Sequence, residues 1–466
     1  MNEAVQVKAL LPRAGEAAAA SDSPTANLSQ ILDEQRSTIL HLRVAAICVA
    51  VTFCDGFGVQ AINYAGPSLR DALRLTPGEL GAIFSASLAG MTLGSFGIGS
   101  ISDRLGRRAP LILLTVAFAL LTASVSLATT FWQVLVLRFL DGLALGSALP
   151  NAYVLAAEYS PGRFRRLTIG LVMLGYTVGG AAAGALATSL IPQYGWGSLF
   201  MFGGVAGIVT AAAVFLWVPD SLHMLVGKAS LHAKAAKILA RISPDLSIGS
   251  LDALAEPRPK HAGAALSIIF GAQVRRTTIC LWVISFVMMM AALLFLSWTP
   301  IVLKDAGFPL AQAIGVTVAF TIGSMVMSVG AGWLTDRYNP PLVLAACAGV
   351  GCCGLALMGL NFGTVTTQFL ISFITGAGLG GALAGMNALA TTAYPPSVRV
   401  TASGWAIGIG RLGAVCGPLI GARWINAQMR GTDLFFVAMM LSAIGATASL
   451  LMLKRLSPHH DDDARL

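Results

Sequence analysis

Apolar runs of bilayer-spanning length alternate with short polar segments along almost the whole chain, at about 43–64, 79–101, 109–129, 132–157, 166–190 and 197–218, and again at about 276–300, 310–335, 341–361, 364–393, 399–424 and 431–453. A polar stretch from Pro219 to Arg275 separates the two sets of six. A helix needs roughly 20 apolar residues to cross about 30 Å of hydrocarbon. The pattern therefore predicts an all-α membrane protein with twelve transmembrane helices in two six-helix halves. The divisions read from it are an N-terminal tail over 1–40, halves over 41–218 and 276–455, a linker over 219–275 and a C-terminal tail over 456–466. The first tail is polar and lacks the apolar core of a cleavable signal. Within the linker, Leu231–Ile242 reads as a short basic helix joining the halves.

Composition agrees with this reading: 56% of the 466 residues are hydrophobic and 11% charged, against about 25% charged in soluble domains. No aqueous domain large enough for a soluble enzyme remains. The formal charge of +9 does not indicate nucleic acid, because the charges lie between apolar runs rather than on one polar face. With both termini cytoplasmic, 23 of the 30 Lys and Arg residues fall in inner segments and 5 in outer loops. That bias sets the expected orientation. The remaining two, Arg138 and Arg411, lie inside spans. The seven cysteines fall inside apolar stretches without metal-ligand spacing and read as inert buried thiols. No metal or other cofactor is called for.

The halves repeat one another. Asp103-Arg104 after span 2 corresponds to Asp336-Arg337 after span 8, Gly142-x-x-x-Gly146 to Gly376-x-x-x-Gly380, and Tyr159-x-Pro161 to Tyr394-x-Pro396. These offsets are 233, 234 and 235. Parallel halves related by an axis normal to the membrane suit a carrier that rocks around a midplane site.

Gly99-x-x-x-Asp103-Arg104-x-Gly106-Arg107-Arg108 forms a tight loop between spans 2 and 3. It resembles the loop signature of the major facilitator superfamily, and the resemblance runs from span 1 to span 12. That implies the family's fold and alternating access. Asp55-Gly56-Phe57-Gly58-Val59-Gln60 in span 1, with Arg138-Phe139 opening span 4 and Asn151-Ala152 and Ala157-Glu158-Tyr159 closing it, looks like the aromatic acid:proton symporter branch. Its span 1 signature is Asp-Gly-Phe-Asp-x-Gln, so Asp55, Gly56, Phe57 and Gln60 match while Gly58 replaces the second acid. The resemblance ties that acid pair to proton coupling. Asp141, where the branch carries a small or hydroxylated residue, is the candidate to compensate.

Ionisable groups inside a bilayer mark functional sites by default, because a charge in hydrocarbon costs several kcal/mol. Asp55, Arg138 and Asp141 are thus the expected proton-coupling group. Arg138 and Asp141, three apart on one helix face, pair with each other or with Asp55; a purely structural ion pair is the alternative. Arg411, at the centre of span 11 with no sequence-near acid, is the expected partner of a substrate carboxylate, held bidentately; a polar group from another span is its alternative partner. Gln60, Tyr176, Phe320 and Trp405 complete the expected substrate site, though each aromatic taken singly reads more readily as helix packing. Trp132, Trp196 and Trp298 read as interfacial anchors. Asp103, Arg104, Arg107, Glu158, Arg165, Asp336 and Arg337 are assigned to an inner gate.

The expected function is proton-coupled uptake of a small organic anion, most plainly an aromatic carboxylate such as a benzoate, by a single chain in a bacterial inner membrane, without enzymatic activity. The alternatives are a carrier of another monocarboxylate, an exporter, a uniporter, or a non-transporting membrane sensor, which the Gly58 departure keeps open.

Overall fold

The computed structural model describes residues 39–97, 107–226, 232, 235–236, 275–360, 364–394 and 399–456. Asp103 and Arg104 of the expected gate, both terminal tails and most of the linker, including nearly all of the expected helix at Leu231–Ile242, lie outside the described residues.

Among the described residues every long element is a helix: α1 (Ile39–Leu73), α2 (Pro77–Gly97), α3 (Arg108–Val125), α4 (Phe131–Glu158), α5 (Gly162–Tyr194), α6 (Gly197–Trp217), then α7 (Arg275–Asp305), α8 (Leu310–Arg337), α9 (Pro340–Leu360), α10 (Val365–Thr392), α11 (Arg399–Asn426) and α12 (Asp433–Leu456). A short helix, Leu222–Val226, follows α6. Among the described residues, eleven of these twelve are long and apolar enough to cross a membrane; the other is α2, rich in Gly and Ser. Several helices outrun the apolar stretches that announced them, α1 reaching Leu73 and α5 running from Gly162 to Tyr194.

Local chemistry sets the ends. Thr76 with Glu79 and Thr130 with Gln133 form reciprocal capping boxes at the starts of α2 and α4. The α5–α6 and α7–α8 connections turn at Gly195 (φ 81°) and Gly307 (φ 95°), a backbone region that favours glycine.

Packing repeats as the sequence does. In the first half α1 packs on α5, α2 on α4 and α3 on α6; in the second α7 packs on α11, α8 on α10 and α9 on α12. Two close helix approaches recur at matched positions of the halves. A Cβ at Gly142 would collide with the backbone of Ser87, and one at Gly376 with the backbone of Phe320. Likewise Gly179 abuts the Phe53 backbone and Gly413 the Phe286 backbone. Small residues at these crossings replace the hydrophobic drive that lipid removes.

The halves join through α2 on α11, α5 on α8 and α1 on α7. Large apolar side chains stand exposed on the bundle surface, among them Leu113, Leu127, Val209, Val329 and Leu360, an apolar exterior suited to lipid.

Two sequence expectations change here. Trp298 is an internal residue rather than an interfacial anchor: it is buried, donates Nε1–H to the Pro418 carbonyl at 3.1 Å and meets Phe84 edge-on. The end of α7 packs against α11, so a helix-end position there faces protein instead of headgroups. The cysteines also divide, since Cys48, Cys54 and Cys347 are buried while Cys353 is exposed.

Candidate functional site

The three titratable groups of the first half do not form one cluster of contacts. Arg138 and Asp141, one turn apart on α4 and both fully buried, pair at 2.5 Å. Thr122 of α3 donates its hydroxyl to the other Asp141 oxygen at 3.0 Å. Arg138 Nη2 donates to the Gly58 carbonyl oxygen of α1 at 3.1 Å, and the guanidinium lies 5.8 Å from the Phe200 ring of α6. Four helices thus converge on the Arg138–Asp141 pair, and the geometry is that of a closed internal pair.

Asp55, three residues before Gly58 on α1, stands apart. It is 1% exposed, and neither carboxylate oxygen has a hydrogen-bond partner. A cavity of about 10 Å³ beside it, between Cys54, Thr115, Phe118 and Leu145, has room for a single water. Its electrostatic neighbours are Asp141, Arg411 and Arg138. A buried carboxylate without donors is stable only when it carries a proton or faces a cation.

Arg411 supplies that cation from the other half. It is half-buried on α11, and among the described residues its only hydrogen-bond acceptor is the Met91 carbonyl of α2, at 3.5 Å. Its field is shared with Asp55, Tyr176 and Tyr153. The alternative of a polar partner from another span is therefore realised in part, by a long contact to a backbone oxygen that leaves most of the guanidinium's donors unused. Tyr153, on α4, was not singled out from the sequence; an aromatic in a span rich in apolar residues carries no signal until its neighbours are known.

The other expected site residues separate. Tyr176 lies with Tyr153 near Asp55 and Arg411, its backbone carbonyl pressed on Gly56. Trp405 is 39% exposed and stacks on Trp282 with ring centres 5.8 Å apart. Gln60 is buried, its side-chain oxygen accepting from the Asn63 amide at 2.8 Å. Phe320 is internal, 3% exposed and stacked on Phe295 at 4.6 Å, because the Gly376 approach holds its backbone against α10. In this conformation its ring packs within the second half.

Of the gate residues, Glu158 accepts from the Ser221 hydroxyl at 2.9 Å, and Arg165 donates to the Ala157 carbonyl at 3.2 Å. The second contact lies within the first half, and the first ties α4 to the start of the linker. Arg107 precedes α3; Asp336 and Arg337 are exposed, with Arg337 over the Trp333 ring at 5.5 Å.

The halves hold each other at one end of the bundle. Arg70 pairs with Asp305, Lys304 with Asp71, Ser297 with Asn63, and Ser85 with the Val415 carbonyl. At mid-depth, Arg411 of α11 reaches the Met91 carbonyl of α2.

Known proteins give this geometry a context. The sequence model described as Major Facilitator Superfamily matches residues 48–418 and 310–465. The 4-hydroxybenzoate transporter PcaK of Pseudomonas putida is 31% identical over 441 residues, covering 93% of this chain and 97% of that protein. A gallate transporter of Pseudomonas putida is 31% identical, covering 88% and 90%. A benzoate transport protein of Acinetobacter baylyi is 28% identical, covering 86% and 87%. Among solved structures, the inward open conformation of the xylose transporter XylE from E. coli superposes with a TM-score of 0.71 at 16% identity, covering 90% of this chain and 96% of that one.

Proposed function

The chain belongs to the Major Facilitator Superfamily, and we propose that it is a proton-coupled importer of an aromatic carboxylate, working by alternating access with both termini in the cytoplasm of a bacterial cell. The observation that carries this reading is a donor-free buried carboxylate, Asp55, in one half that lies in the field of an under-used guanidinium, Arg411, in the other, without a direct bond between them.

Asp55 is the proton carrier. Arg411 takes the substrate carboxylate, for which its fork of donors is suited. The aromatic ring then lies by Tyr153, Tyr176 and Trp405, where offset stacking adds to area burial. Proton and anion entering together keep the transported charge near zero, so neither crosses the low-dielectric midplane alone. Asp141 holds Arg138 in place and sets the field felt by Asp55. The relatives named for 4-hydroxybenzoate, gallate and benzoate support an aromatic acid as the cargo. The boundaries that suit rocking are 41–218 and 276–455, with 219–275 as linker, in a chain that acts singly. The contacted end carrying Arg70 and Lys304 is the outer one in this reading, which the excess of Lys and Arg on the opposite side supports.

The test is uptake of labelled benzoate-type acids into proteoliposomes with and without an inward proton gradient. Gradient-dependent accumulation is expected. Equilibration without accumulation would replace symport by uniport, and no flux of any acid would point to a sensor.

A further inference from the structure

Arg70-Asp71 closes α1 and Lys304-Asp305 closes α7. Each is a cation followed by an acid, and the two dipeptides occupy corresponding positions of the repeat. They also bind each other. Arg70 donates through two guanidinium nitrogens to the two oxygens of Asp305, at 2.8 and 2.6 Å, and Lys304 Nζ reaches Asp71 at 2.5 Å. Arg70 Nε lies 3.5 Å from its neighbour Asp71, which closes the four charges into one group.

About two turns deeper, the Ser297 hydroxyl donates to the Asn63 side-chain oxygen at 3.1 Å across a sequence separation of 234. The ion pairs have separations of 235 and 233. A residue meeting its own repeat counterpart, flanked by pairs in which i meets j′ and j meets i′, is the signature of an isologous contact. The pseudo-two-fold axis therefore passes between Asn63 and Ser297 and out through the charge quartet.

From this geometry we infer that the quartet Arg70, Asp71, Lys304 and Asp305 is a reciprocal ionic latch that holds the outer ends of the two halves shut and parts to admit substrate. Its position on the axis matters: rocking of the halves separates both pairs together, so the latch releases in one step. Its exposure also suits a reversible device. The Asp71 and Asp305 side chains are 55% and 50% exposed, so water takes over their solvation when the pairs break, and each pair stabilises closure only modestly. The bidentate Arg70–Asp305 fork is the stronger of the two. Asn63 also donates to Gln60 at 2.8 Å, so a hydrogen-bond chain runs from the axis toward the midplane.

The inference rests on the proposed orientation only for the word outer, and the experiment separates the two. Ser85, 4% exposed and bonded across the halves, is protected while that end is shut. Ser85→Cys gives a reference protein whose labelling by a membrane-impermeant maleimide is timed from each face, with native-cysteine background subtracted. Arg70→Asp with Asp71→Arg places like charges opposite one another, and labelling from the outer face should quicken by about tenfold. Adding Lys304→Asp with Asp305→Lys restores opposite pairs with reversed sign, and the rate should return to within about twofold of the reference. Raising salt from about 0.01 M to about 1 M should quicken labelling of the reference.

An unchanged rate in the half swap, or no recovery in the full swap, would overturn the latch. Should the half-swapped chain fail to insert, the salt series decides alone, and a salt-independent rate counts against the latch. Labelling only from the opposite face, with the swap pattern intact, would keep the pairing and overturn the orientation.

Discussion

Arg138 donates from Nη2 to the backbone carbonyl oxygen of Gly58 at 3.1 Å, so the position where the sequence departs from the symporter signature still touches the buried guanidinium. The carboxylate that neutralises it comes from Asp141 on the same helix. The missing acid in span 1 and the extra acid in span 4 thus meet on one side chain.

Gly58→Asp tests how far that exchange can be reversed. A Cβ at Gly58 would lie 2.9 Å from Phe118 Cε2, so the ring must shift. Overpacking of this kind costs about 1–3 kcal/mol. Gly58→Asp should lower thermal stability in detergent and slow gradient-driven uptake, and Phe118→Ala in the same chain should recover part of both. Thermal unfolding and initial uptake rates of the three proteins check it.

Asp141→Ala leaves a fully buried arginine without its counter-charge, a loss of about 3–5 kcal/mol. Replacing both partners, Arg138→Met with Asp141→Leu, should regain most of that stability because no charge remains buried. The stable double variant then separates structure from coupling. If it accumulates substrate against a proton gradient as the parent does, Arg138 and Asp141 are scaffold alone; the expected result is stable protein with impaired accumulation.

Arg411→Ala should abolish uptake of aromatic carboxylates while leaving insertion unchanged. Arg411→Lys should raise KM by about tenfold or more, since an ammonium cannot reproduce the planar fork. Substrate-induced shifts in melting temperature would follow the same order. Retained affinity in Arg411→Ala would remove this residue from the site.

Much of this architecture is written in the order of apolar runs. Twelve helices, two halves and the Gly142 and Gly376 crossings follow from run length and small-residue spacing, which the backbone must obey. Side-chain facing was harder to read. In a membrane the lipid side is as apolar as the core, so the polar–apolar alternation that orients a soluble helix is nearly absent. Trp298 falls on an internal face for that reason, and Tyr153 near Asp55 carries no sequence signal. The pairing of Arg138 with Asp141 was legible from their spacing, whereas the isolation of Asp55 needed three dimensions. Arg70 and Lys304 enter the sequence reading only as outer charges, although the repeat offset of 234 matches Arg70-Asp71 to Lys304-Asp305.

The central claim is that Asp55 carries the coupled proton, and Asp55→Asn in proteoliposomes tests it most directly by comparing two modes of the same protein. With labelled 4-hydroxybenzoate, the account predicts that exchange against internal unlabelled acid continues, while accumulation driven by an inward proton gradient falls to the level of protein-free vesicles. Full gradient-driven accumulation by Asp55→Asn would contradict it.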